Sequence, residues 1–118
     1  MEKYIYDSEL KLMELVWQRE PVTAKELSLL AADVLGWNKN TTYTVLKKLV
    51  GKEFVERGEP GFVCTALVKR EDVQRAETRS LIDKLYSGSR KAFLAAFLED
   101  EPLSREEIEQ LRKLIDGQ

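Results

Sequence analysis

Apolar residues recur every three or four positions along nearly the whole chain, and that helical period breaks once, between Phe54 and Thr65. Such a pattern restricts the chain to short helices sharing a core with one small strand pair. Leu10, Met13 and Trp17 lie on one face of a first helix expected from about Ser8 to Gln18, with Asp7 or Ser8 as N-cap. Arg19-Glu20-Pro21 ends it. Thr23-Ala24-Lys25-Glu26 reads as a capping box, in which a hydroxyl and a carboxylate each satisfy an orphan backbone N–H. Leu27, Leu30, Ala31 and Val34 give the second helix its stripe, and Gly36 closes it. A third helix, Thr41 to Lys52, is capped by Asn38 or Asn40 and turns Thr42, Val45, Leu46 and Leu49 inward.

Phe54-Val55-Glu56-Arg57 and Phe62-Val63-Cys64-Thr65 are β-branched and aromatic runs, and Gly58-Glu59-Pro60-Gly61 between them is turn chemistry, so a hairpin is expected. Helical spacing returns from Lys69. Val73, Ala76, Leu81, Ile82, Leu85 and Tyr86 fall on a long fourth helix broken at Ser87-Gly88-Ser89. An almost wholly apolar fifth segment, Ala92 to Leu98, precedes a sixth helix opened by a second capping box, Ser104-Arg105-Glu106-Glu107. The expected class is therefore mainly α with a small β-hairpin (α+β). Residues 1–68 form a helix-helix-helix-hairpin domain, and residues 69–118 form a helical region with no third layer to cover it. Leu81, Leu85, Tyr86, Phe93, Leu94, Phe97, Leu98, Ile108, Leu111 and Ile115 then expose more apolar surface than a monomer usually tolerates. A second copy of the chain is the expected cover.

What is missing narrows the chemistry. The 118 residues include no His, the side chain that most often moves protons near neutral pH or ligates transition metals. Cys64 is the single cysteine, so neither an internal disulfide nor a cysteine-based zinc site can form. No phosphate-cradling glycine loop or nucleophile elbow is present, and neither an enzyme nor a cofactor or metal site is expected. The longest apolar run falls far short of the roughly 20 residues that span a bilayer, and the opening residues lack a basic-then-apolar signal pattern. A cytoplasmic protein without membrane insertion is the expectation.

A formal charge of −2, from 19 basic and 21 acidic residues, argues at first against a polyanion as partner. The charge is not evenly spread. From Asn38 to Lys52 there are four lysines, Lys39, Lys47, Lys48 and Lys52, and no carboxylate. At 100° per residue, Asn40, Thr41, Tyr43, Thr44, Lys47 and Lys48 fall opposite the inward face of the third helix. Short polar groups that reach base edges, with lysines that hold phosphates, are what a DNA recognition helix needs. Lys39 flanks this face, and Arg57 lies on the hairpin that would follow the DNA backbone as a wing. A solvated lysine-bearing helix face is the bland alternative. From another class, a protein-protein interaction module on the same scaffold without DNA binding remains open.

The run Trp37-Asn38-Lys39-Asn40-Thr41-Thr42-Tyr43-Thr44-Val45-Leu46-Lys47-Lys48-Leu49, with Lys52-Glu53-Phe54-Val55, resembles the recognition-helix segment of the penicillinase-repressor (BlaI/MecI/CopY) family of winged-helix transcriptional repressors. Glu9 to Trp17 is similar to that family's first helix, which commonly ends on Trp. Leu85-Tyr86-Ser87-Gly88 resembles its Leu-Tyr-Gly-Gly turn, and Ser104 to Leu111 its last helix. Together these pieces cover essentially the whole chain in order.

The resemblance implies a winged helix-turn-helix domain followed by a C-terminal helical dimerisation region. It implies a homodimer that binds a dyad-symmetric double-stranded DNA operator and blocks transcription, its third helix in the major groove with Thr41 and Thr44 matching the family's threonines. Tyr43 departs from the Arg or Gln often found there, and a tyrosine cannot read guanine bidentately. In the antibiotic-responsive branch a membrane sensor protease pathway leads to cleavage at an Asn-Phe bond. The corresponding bond here is Ala96–Phe97, where the Asn is replaced and dimer core is the favoured reading of Phe97 over a cleavage site. The copper-responsive branch uses a cysteine-rich tail, which a chain whose one cysteine is Cys64 does not match.

Overall fold

A computed structural model describes residues 4–118. In chain order the elements are α1 (Asp7–Arg19), β1 (Val22–Thr23), α2 (Ala24–Leu35), α3 (Lys39–Gly51), β2 (Val55–Gly58), β3 (Val63–Ala66), α4 (Arg70–Tyr86), α5 (Arg90–Asp100) and α6 (Arg105–Asp116). The mainly α architecture with a small antiparallel sheet is the one expected. The sheet has three strands rather than two, in the order β1-β3-β2. Val22 pairs with Cys64 and Thr23 with Val63, while Val55 to Gly58 pair with Ala66 back to Val63. A two-residue strand is too short to show alternation, so β1 leaves no periodic signal in the sequence.

The helix starts follow local hydrogen bonding. The α1 cap is Tyr6, not Asp7 or Ser8, because the Glu9 carboxylate reaches back and accepts the Tyr6 N–H over 2.8 Å. Thr23 caps α2 as expected: its Oγ1 accepts the Glu26 N–H and Glu26 Oε1 accepts the Thr23 N–H. The first of the two asparagines caps α3, with Asn38 Oδ1 accepting the Thr41 N–H over 2.8 Å, so that helix starts two residues before Thr41. Gly36 ends α2 at φ 69°, the left-handed conformation that glycine adopts without steric cost.

The core lies in the compact unit that ends at Val73. Leu12, Met13 and Val16 of α1, Leu27 and Ala31 of α2, and Leu46 and Leu49 of α3 are fully buried, with Phe54, Val55 and Cys64 of the sheet region completing the apolar interior. Each large side chain so buried contributes about 1.5–3 kcal/mol relative to exposure. Because Thr42, Val45, Leu46 and Leu49 all face this interior, the roll of α3 about its axis is fixed, and its opposite face is held toward solvent. Thr42 is buried without loss, its hydroxyl donating to the Asn38 carbonyl over 3.3 Å.

The second compact unit, Gln74–Gln118, is built differently. Ile82 is its one buried hydrophobic residue, and α5 and α6 bury none. Tyr86 and Phe93 meet edge to face at 5.5 Å, and Phe97 adds a tilted ring 6.1 Å from Phe93. Ser104 and Glu107 form the expected capping box at the start of α6.

Candidate nucleic-acid interface

The outward face of α3 carries Lys39, Asn40, Thr41, Thr44, Lys47 and Lys48, all exposed. Thr41, Thr44 and Lys48 recur at i, i+3 and i+7 and therefore form one continuous strip. Three of the four lysines counted in this segment are presented to solvent. Lys52 is half-buried and already paired: its Nζ lies 2.8 Å from Glu9 Oε1 and 3.1 Å from the Tyr4 carbonyl, with the Tyr6 ring 4.4 Å away. The cationic surface of the helix is accordingly +3 rather than the +4 given by the sequence count.

Tyr43 stands apart from its neighbours. It is half-buried, and its ring meets Phe62 edge to face at 6.4 Å with the planes 82° apart. Lys39 Nζ lies over the same ring, 5.9 Å from its centroid. The side chain that departs from the resemblance thus packs α3 against the hairpin while remaining partly exposed. Trp37 is also half-buried against the core, as a packing residue beneath α3 should be.

Arg57 sits on β2, exposed, with its guanidinium centre 3.8 Å from the Phe62 ring. Its Nε donates to Glu59 Oε1 over 2.6 Å, and Glu59 Oε2 accepts the Phe62 N–H over 3.3 Å. The Arg57 hydrogen bond, followed by the Phe62 N–H, holds the Glu59 carboxyl below its usual range. Phe62 has φ 51°, a left-handed backbone unusual for an aromatic residue, and its carbonyl accepts the Ala24 N–H at the start of α2 over 2.9 Å. Phe62 and Glu59 were not among the sequence candidates. An acid two residues after the only cation of the hairpin is the signal that could have found Glu59.

Cys64, paired in register with Arg57, is buried, and desolvation pushes its thiol up to about 11 against a small opposing effect of the Arg57 charge. A thiol so protonated is a poor nucleophile. Among the described residues no group of three or more acidic, cysteine or histidine side chains is arranged to hold a metal ion, and no helix is long and apolar enough to cross a membrane.

Of the residues read as a dimer face, Leu81, Leu85, Leu94, Phe97, Leu98, Ile108, Leu111 and Ile115 are exposed, together with Leu114, while Tyr86 and Phe93 are half-buried against each other. The Ala96–Phe97 bond lies inside α5, where every backbone group is in helical geometry.

The penicillinase repressor family model matches residues 5–117. The penicillinase repressor of Bacillus licheniformis is 26% identical over 114 residues, which cover 95% of this chain and 89% of that protein. The solved DNA-binding domain of the repressor BlaI is similar with a TM-score of 0.55 and 25% identity, over 59% of this chain and 88% of that one. The monomeric form of Bacillus licheniformis BlaI in complex with the blaP half-operator is similar with a TM-score of 0.53 and 25% identity, over 58% of this chain and 87% of that one.

Proposed function

The chain belongs to the penicillinase-repressor family of winged-helix proteins, and on that premise we propose that it is a sequence-specific transcriptional repressor acting as a homodimer on a dyad-symmetric operator. The observation that carries the reading is the strip on α3, where Thr41, Thr44, Lys47 and Lys48 are exposed and carboxylate-free on a helix whose opposite face is locked into the core. In this reading Asn40, Thr41, Thr44 and the edge of Tyr43 meet base edges in the major groove, and Lys39, Lys47 and Lys48 hold phosphates. Residues 1–68 act as the DNA-binding domain, with the β2–β3 hairpin as wing.

The helical region 69–118 supplies the dimer contact. The exposed Leu94, Phe97, Leu98, Ile108, Leu111 and Ile115 favour burial against a second copy, because each gains roughly 25 cal/mol for every Å² of apolar surface removed from water. Phe97 belongs to that contact in this reading. Inactivation by cleavage at Ala96–Phe97 through a membrane sensor protease pathway would require α5 to open first, since a helical bond does not fit an extended protease subsite. The regulator is placed in the cytoplasm, where the operator is.

Light scattering of the free protein and of its complex with a dyad duplex tests the reading. A concentration-stable dimer that binds one duplex per two chains is expected. A monomer that pairs with another protein and ignores duplex DNA would replace this reading with the interaction-module alternative.

A further inference from the structure

Arg57 is the only cation between Glu53 and Val68, and it shares the hairpin with two acids, Glu56 and Glu59. A wing with this balance is repelled by phosphate unless Arg57 contacts the backbone, yet Arg57 already has an anion. Its Nε is 2.6 Å from Glu59 Oε1, and its guanidinium carbon lies over the Phe62 ring, 3.8 Å from the centroid. Glu59 is anchored by its other oxygen to the Phe62 N–H. Exposed ion pairs between two mobile side chains contribute little. Here one partner is tied to the backbone and the other is stacked on a ring, so the pair is preorganised. Both side chains are about half exposed, at 48% and 58%, so the guanidinium can exchange one oxyanion for another without unburying anything.

We propose that Glu59 is a specificity-determining residue of the wing: it competes internally with phosphate for Arg57 and keeps that arginine out of non-specific contacts with duplex DNA. Carboxylate and phosphate oxygens engage a guanidinium in the same way, so the two compete directly. Away from an operator, Arg57 stays on Glu59 and the wing adds no phosphate contact. Where α3 is seated in its groove and a phosphate is held against the hairpin, Arg57 changes partner. The inference rests on the DNA-binding reading and adds to it a residue that separates specific from non-specific affinity.

The full-length protein and its variants should be titrated with a short duplex of random sequence at several salt concentrations. Glu59→Gln keeps an oxygen for the Phe62 N–H while removing the charge, and should bind tighter at low salt. Its log–log salt slope should steepen by about 0.9, the signature of one added phosphate contact. That slope corresponds to an extra loss of about 3-fold in affinity between about 50 and about 200 mM salt. The Arg57→Ala/Glu59→Gln double variant should return to the wild-type slope, and Glu56→Gln, an equal change of net charge, should leave the slope unaltered. An unchanged slope in Glu59→Gln, or the same gain in the double variant or in Glu56→Gln, overturns the proposal and leaves DNA binding standing. Failure of every protein to bind any duplex overturns both.

Discussion

Lys52, at the C-terminal end of α3, is bound to Glu9 of α1 through a 2.8 Å Nζ–Oε1 contact, and the Glu9 side chain is 1% exposed. The same carboxylate oxygen accepts the Tyr6 N–H, and the same ammonium donates to the Tyr4 carbonyl. The residues before α1, the start of α1 and the end of α3 are therefore joined at one charge pair. A lysine that looks available for phosphate in the sequence serves to hold the helix in place.

Removing that lysine leaves a buried carboxylate without its cation, which typically costs several kcal/mol. Lys52→Met should lower unfolding free energy by about 3 kcal/mol, measured as a shift in urea midpoint. At temperatures where the variant remains folded, the salt slope of DNA binding should match the wild type. A lower slope would place Lys52 on a phosphate.

Lys47 and Lys48 are exposed and have no role in the core. Lys47→Ala and Lys48→Ala should each reduce the magnitude of the log–log salt slope by about 0.9, with stability within about 0.5 kcal/mol of wild type. Equilibrium titrations across a salt series, beside urea unfolding, check both halves of the statement.

The Tyr43–Phe62 contact joins α3 to the wing. A double-mutant cycle of Tyr43→Ala and Phe62→Ala should give a coupling of about 0.5–1.5 kcal/mol in unfolding free energy. Tyr43→Phe keeps the ring and should preserve stability, so any change in preferred DNA sequence reports the hydroxyl alone. Zero coupling would mean the rings meet without mutual support.

Cys64 should resist thiol reagents at neutral pH in the folded protein and react once urea unfolds it. Burial raises its thiol from 9.0 to about 11, so between those values the folded chain binds more protons than the unfolded one. Stability should then fall as pH rises from 9.0 towards about 11, and Cys64→Ala should lack this component. Comparing urea midpoints of the two proteins across that range isolates the thiol.

Much of the scaffold can be read directly from local signals. The inward set of α3, the Thr23 and Ser104 capping boxes and the turn between β2 and β3 each follow from residues within one or two turns of chain. The missing pieces are long-range. Lys52 and Glu9 are 43 positions apart, and nothing near either residue announces the other. Tyr43 reads as one more outward side chain on a helical wheel, because its partner Phe62 arrives only when the hairpin turns back with a left-handed residue at its tip. The charge pattern of α3 located the candidate surface, whereas the tertiary contacts decide which of its side chains are available.

Selection of bound sequences from a random duplex pool tests the central claim most directly. An α3 that reads DNA from each half of a two-fold dimer should enrich one dyad-symmetric site with half-site centres about 34–36 Å apart, or a multiple of that spacing. Thr41→Ala or Thr44→Ala should then relax preference at specific positions within each half-site. A pool that emerges with no enriched sequence, or with one that carries no dyad and is indifferent to both substitutions, would contradict the account.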